Sequence, residues 1–355
     1  MSGNPVGISL NVHRLFDERS PMTPGKSEGN IKMFSRLSFF LMRRGLSAWI
    51  GLFLLAAPLS GQADLNLNGA IDTRVHSSPD SEERSIDADD LARIAKEKGM
   101  RGLVLKNHWE STAALAYMVR KQVPGIEIFG GIVLNKSVGG INLEAVKSMT
   151  RMKGGWGRVV WLPTFDSEIS AKNLNAVQAR SGDRRQLMGP TVAVSKDGHL
   201  LPSVLELIDF MAQHHELVLE TGHISAEEAL LVVHEAHQRG VGHIVVTGAN
   251  DLLVDLTIPQ MQQAAHDGAY LEFAYTNAFG PTEQRTMSEF VEAIRMVGPK
   301  SCILATNFGS VQNKYPLHPQ ALLDFMTALH KEGISLADIN LMAKTNPALA
   351  LGLMP

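Results

Sequence analysis

The side chains able to do chemistry stand at the ends of short apolar runs. "GAIDTRVH" carries Asp72, Arg74 and His76 at alternate positions, as on the inward face of a strand, and then breaks into a Ser-Ser-Pro-Asp turn. The next run, "RGLVLKNH", ends with Lys106 and His108 on one face. Later runs reach Asn135, then Thr164 and Asp166, then Glu220 and His223 in "ETGH". The last three end in "TGAND", in "YTN" with Tyr275 and Asn277, and in "TNFG" with Asn307. Such a set suits acid–base work, the polarising of a carbonyl, and the gripping of an anion by a planar arginine fork. A single strand-end histidine is more often a hydrogen-bonded residue than a ligand. Three of them on three runs, beside Lys106, Glu220 and Asp166, point to a shared site. His234 and His237, three apart on a helical pattern, read as a solvated face, as do His214 and His215. The glycine-rich "KGGWG" at 153–157 precedes a strand instead of following one, so it is a turn and not a phosphate loop.

The elements that must position these residues are legible as an alternation. Strands are predicted at 69–76, 101–106, 126–134, 157–162, 216–221, 242–247, 269–275 and 301–306. Helical patterns lie between them at 87–99, 110–122, 142–153, 203–214, 225–239, 258–267 and 287–297, with another at 318–333 and a closing helix and tail over 335–355. Ser225-Ala-Glu-Glu228 is a capping-box signature, and Asp87 followed by Asp89 and Asp90 marks a second helix start. Eight strands, each followed by a helix, predict an α/β fold with a parallel sheet closed into a (β/α)8 TIM barrel. A doubly wound open sheet has the same pattern, since periodicity does not register closure. The one long irregular connection, 165–202, reads as a surface insertion near the barrel mouth. Polar residues at the carboxyl ends of barrel strands are the ones expected to act, because the rest of the core is apolar.

The 355 residues are 45% hydrophobic with a formal net charge of −3, which suits a globular protein and provides no basic field for nucleic acid. Cys302 is the only cysteine, which excludes an internal disulfide and a thiolate zinc site. Residues 1–32 are polar, rich in Gly, Ser and Pro, and without hydrophobic period; Met33 and Met42 offer internal starts. Arg43-Arg44 precedes the uncharged stretch 45–63, which ends in Gly61-Gln62-Ala63. That pattern predicts a signal peptide over 33–63, cleaved before Asp64, and a periplasmic or secreted product with a single barrel domain over 64–355. An uncleaved membrane anchor is the alternative.

Several of these stretches, in order, carry a family resemblance: "DTRVHSSPD", "VLKNHWEST", "GGIVLN" with "VGGIN", "VVWLPTFDS", "ETGHIS", "TNFGS" and "GIS…NPALALGL". From residue 69 to residue 353 the chain resembles an uncharacterised, amidohydrolase-related barrel family that bears a domain-of-unknown-function label. The resemblance implies the metal-dependent hydrolase pattern: one or two divalent ions, such as zinc or manganese, on His-x-His from strand one, histidines from strands five and six, and an aspartate from strand eight. The ion lowers the pKa of a bound water and the aspartate takes its proton. Carried over, His76 matches the second strand-one histidine and His223 the strand-five histidine. Three positions depart: Arg74 for the first histidine, Gly248 for the strand-six histidine and Asn307 for the aspartate. Arginine has no lone pair to coordinate with, and two histidines are fewer than a zinc site needs. His108, Glu220, Asp166 and Asp251 are the residues that would complete it. Histidine to arginine and aspartate to asparagine together add two positive charges, the charge of the missing ion.

The expectation is a hydrolase, or less often a lyase, acting on a small carboxylated, amide- or lactone-bearing substrate through a degenerate metal site. Lys106, His108, Asp166 and Glu220 are the catalytic candidates; Arg74, Asn135, Tyr275, Asn277 and Asn307 are the ligand-binding candidates. Lys106, among cations, also has the makings of a nucleophile, unless it forms a salt bridge to Glu220 or Asp166. The alternative is an exported, metal-free binding protein that clamps a small anion through Arg74.

Overall fold

The computed structural model describes residues 65–173, 190–280, 283–311 and 318–355, all within the compact unit Ser60–Pro355. The polar extension 1–32, the expected signal peptide 33–63 and the middle of the expected insertion lie outside the described residues.

Eight parallel strands run in the order β1 (Ile71–Val75), β2 (Gly102–Leu105), β3 (Glu127–Val133), β4 (Gly157–Trp161), β7 (Val218–Glu220), β8 (Ile244–Val246), β9 (Tyr270–Ala274) and β10 (Cys302–Ala305). Each matches a strand read from the sequence. The first and last meet through backbone bonds: Asn307 N–H donates to the Arg74 carbonyl at 2.9 Å, and His76 N–H to the Phe308 carbonyl at 2.8 Å. The Asp72 carboxylate stitches the same seam, accepting from Thr306 N–H (3.0 Å), Thr306 Oγ1 (2.6 Å) and the His318 ring (2.9 Å). The sheet is a barrel and not an open doubly wound sheet.

Asp72 is a correction to the strict alternation expected of 72, 74 and 76. The register of β1 against β2 shifts between Asp72 and Val75. Ile71 belongs to the barrel interior, Asp72 turns to the seam, and both Thr73 and Arg74 then reach inward to Glu272. A β-bulge of this kind re-aims a side chain without ending the strand.

The barrel interior is packed by Val104, Phe129, Val159, Trp161, Val245 and Ile303 with their neighbours, and a second apolar layer lies between strands and helices. The C-terminal segment, read as a helix and tail, is two short helices, Leu336–Asn340 and Asn346–Ala350, joined by a π-turn. It plugs the amino end of the barrel: Ala348, Ala350 and Leu351 join the interior cluster, while Arg158 donates to the Leu351 carbonyl at 3.0 Å and Asn346 to the Cys302 carbonyl at 2.7 Å.

The helix starts follow their caps. Ser225 and Glu228 form the reciprocal capping box, and Gly240, at φ +83°, ends that helix in the left-handed conformation. Asp87 occupies the N-cap of helix Ala88–Glu97 without a capping bond from its side chain; Asp89 and Asp90 instead engage Arg93. The stretch expected to be irregular contains the hairpin β5 (Ser195–Lys196) and β6 (His199–Leu200), turned by Asp197-Gly198 with positive φ at both residues. Strand β9 ends one residue earlier than expected, and Tyr275–Ala278 is a short helix.

Candidate active site at the barrel mouth

Two basic and two acidic residues, Arg74, Lys106, Glu220 and Glu272, lie inside the barrel, each nearly or wholly shielded from water. Arg74 and Glu272 form an ion pair at 3.0 Å, at 1% and 0% side-chain exposure. The Glu272 carboxylate also accepts from Thr73 Oγ1 at 3.1 Å and from Gly248 N–H at 3.3 Å. Glu220 accepts from the Trp161 indole N–H at 2.6 Å and from Thr247 Oγ1 at 2.9 Å. Trp161 fits only because position 131 is glycine: a Cβ there would stand 2.5 Å from its ring and 2.1 Å from the Val159 carbonyl.

Lys106 is different. Its ammonium is buried, lies 5.2 Å above the centre of the Trp161 ring, and has no hydrogen-bond partner. Among the described residues it makes no salt bridge to Glu220 or Asp166, the two partners weighed from the sequence. Asp166 is taken by Lys136, through its backbone N–H at 2.8 Å and its ammonium at 3.1 Å. Burial, reinforced by the Arg74 charge, brings the Lys106 pKa down to about 7. Burial, reinforced by Glu272, pushes Glu220 up to about 8, and burial also raises Asp251. Near neutrality the lysine is therefore part amine, and Glu220 holds its proton.

The three histidines form the rim. The His76 and His108 rings stack at 5.1 Å, His108 stacks on Phe165 at 4.1 Å, and His223 lies 6.1 Å from His108. All three are held well below the ordinary histidine pKa, first by burial and next by cations: Arg84, Lys106 and Arg74 at His76, Lys106 and Arg84 at His108, Lys106 and Arg74 at His223. They are neutral rings in a positive field.

His108 is fixed by Thr164 Oγ1 at 2.8 Å from Nδ1, and Asn135 locks that pair by donating to the His108 carbonyl and to Thr164 Oγ1, each at 2.9 Å. Asn135 also accepts from Thr164 N–H, so its amide serves the frame of the site. Tyr275 leaves the cluster: its ring stacks on Phe279 at 4.7 Å and meets Phe325 edge-on in the outer layer. Asn277 is buried in the short helix after β9, and its Nδ2 has no hydrogen-bond partner. The structure thus gathers Arg74, His76, Lys106, His108, Glu220, His223 and Asn307, and gives Asp166, Asn135 and Tyr275 other work. Glu272, Thr73, Trp161 and Thr247 were not read from the sequence. Their only signal is a polar or bulky residue at an inward strand position, such as the glutamate in "YLEFAY". His234, His237 and His215 are exposed.

The resemblance implies a divalent metal, and this donor set does not fit one. His76 presents Nδ1 to the Lys106 carbonyl at 3.0 Å and Nε2 to Asn307 Oδ1 at 3.1 Å, while the Asn307 NH2 donates to Thr276 Oγ1. Both ring nitrogens of His76 thus face oxygen atoms, and neither is aimed at an open ligand position. At Gly248, where the resemblance would put a strand-six histidine, a Cβ would stand 3.2 Å from Asp251 Cβ and touch the Arg74 guanidinium, 3.5 Å from Nη2 and 3.7 Å from Nη1. Among the described residues no three His, Cys, Asp or Glu side chains converge as metal ligands. Two buried basic side chains, Arg74 and Lys106, instead act on His76 and His223.

Comparison with solved structures bears out the TIM-barrel fold. A protein from Pseudomonas putida described as a candidate 2-pyrone-4,6-dicarboxylic acid hydrolase superimposes with a TM-score of 0.52 at 13% identity, over 81% of this chain and 98% of that one. A dihydroorotase superimposes with a TM-score of 0.52 at 14% identity, over 81% and 74%. An amidohydrolase from Burkholderia multivorans, which has zinc bound, gives a TM-score of 0.49 at 10% identity, over 80% and 99%. No curated protein matches the chain. Residues 69–272 match a family of unknown function (DUF6282), and the chain belongs to that family.

Proposed function

We propose that this protein is a hydrolase-type barrel enzyme that works without a metal on a small carboxylated substrate bearing an amide or lactone bond. The observation that carries the reading is the Lys106 ammonium, buried at 2% exposure with no partner beside three neutral histidines. As an ammonium it polarises the acyl oxygen of the substrate. His108, held at Nδ1 by Thr164, has Nε2 as its other ring nitrogen, and in the tautomer protonated at Nδ1 that atom takes a proton from the attacking water. Glu220, protonated near neutrality, returns a proton to the leaving group. The positive field felt at His76, His108 and His223 favours an anionic substrate. The uncharged stretch 45–63 supports a site of action outside the cytoplasm.

The test is acid release from a panel of lactones and cyclic amides, with 2-pyrone-4,6-dicarboxylate included, in the presence of EDTA. Turnover that ignores EDTA and disappears in Lys106→Met supports the reading. Turnover that EDTA abolishes and zinc restores contradicts it. Tight binding of a panel member with no turnover favours the anion-clamping binding protein.

A further inference from the structure

Lys106 has more to offer than a positive charge. Most buried lysines are held by a carboxylate or by backbone carbonyls. Here the carboxylates around the barrel interior are already committed: Glu272 to Arg74 and Thr73, Glu220 to Trp161 and Thr247, Asp166 to Lys136. The Lys106 nitrogen is left with the flat face of Trp161 on one side and neutral histidines near it. An amine placed in this way is a nucleophile for a carbonyl carbon.

We infer that Lys106 captures a small aldehyde or ketone carrying a carboxylate, a 2-oxo acid being the simplest, as an imine. The inference goes beyond hydrolysis and stands on the orphaned amine and its surroundings. The Lys106 nitrogen lone pair forms a bond to the carbonyl carbon while the carbonyl oxygen takes a proton, giving a carbinolamine. The nitrogen gives up a proton and regains its lone pair, the C–O bond breaks as the oxygen leaves as water with a second proton, and that lone pair closes the C=N bond. Glu220, which burial keeps protonated, supplies the proton for the departing oxygen. The planar imine has the Trp161 ring beneath it, and Arg74, whose Nε is buried without a partner, provides the nearby positive charge that suits the carboxylate.

The experiment uses the full chain with pyruvate or glyoxylate and sodium cyanoborohydride, which reduces an imine to a stable secondary amine. Intact mass gives the number of adducts and peptide mapping gives their place. Lys106 is expected to be labelled at least about tenfold faster than the exposed Lys196 and Lys331, as expected for a nucleophile set in a prepared site. That preferred adduct disappears in Lys106→Met, while surface labelling continues. Labelling of Lys106 no faster than the exposed lysines overturns the inference, and needs only the natural protein. Hydrolysis is read separately: a chain that traps pyruvate at Lys106 but opens no lactone keeps this inference and loses the hydrolase reading.

Discussion

The guanidinium of Arg74 lies in contact range of position 248, and the two share one carboxylate. Nη2 stands 3.5 Å from the point where a Cβ on Gly248 would be, and the Gly248 N–H and Arg74 bind the same Glu272 carboxylate. The two positions are therefore one structural unit, joined through the Glu272 carboxylate that both bind. The Arg74 charge is countered by Glu272 inside the barrel.

This relationship makes position 248 sensitive in two ways. Its φ of +55° is left-handed, so Gly248→Ala should cost about 1–2 kcal/mol from the backbone alone. Gly248→His should cost more in the natural background than in an Arg74→His background, where the guanidinium is gone. Chemical denaturation of the four chains checks this; equal costs in both backgrounds would mean that the arginine and position 248 do not compete.

The Arg74–Glu272 pair should behave as a buried ion pair whose partners cannot be lost singly. Arg74→Met and Glu272→Gln are each expected to destabilise by about 3–5 kcal/mol, because each strands a buried polar or charged partner. The double variant should fall well short of the sum. Additive losses in a double-mutant cycle would show that the two side chains act independently.

Lys106 should cost stability that its removal restores. Its folded pKa of about 7 lies below the unfolded value of about 10.4. A depressed amine pKa means the unfolded chain binds the proton more readily, so the penalty is full below about pH 7 and fades toward about pH 10.4. Lys106→Met should therefore melt higher than the natural chain at pH 6, with a margin that shrinks as pH rises. A margin constant from pH 6 to pH 10 would place the lysine in ordinary solvent.

Strand existence was readable because each of the eight runs is apolar and bounded by turn residues, and the capping boxes marked helix starts with the same clarity. The strand-end rule also found the rim, since Lys106, His108, Glu220 and His223 each follow an apolar run. What it could not show was the bulge in β1, because period-two reading puts Asp72 beside Arg74 while the register shift sends Asp72 to the seam with Thr306 and His318. Nor could it show that Glu272, in the middle of a strand, faces inward, since only the fold brings it to Arg74, 198 positions away in the chain. Tyr275 misled for a related reason: the strand stops at Ala274 and the helix that follows turns the ring to Phe279 and Phe325.

Export remains a reading of the N-terminal sequence. Expression of the full gene in a secreting host should yield a mature chain beginning at or near Asp64, measured by N-terminal sequencing and intact mass. A product that keeps residues 45–63 and sediments with membranes would favour the anchor.

Metal content of the untagged protein is the most direct measurement of all. The chain is incubated with zinc and separately with manganese, desalted, and analysed by elemental mass spectrometry alongside the variant Arg74→His/Gly248→His/Asn307→Asp. A mouth neutralised by Arg74 and Lys106 predicts well under one equivalent of either metal in the natural chain, and a gain in the variant if it folds. One equivalent held by the natural protein, and lost on His76→Ala or His223→Ala, would contradict a metal-free site.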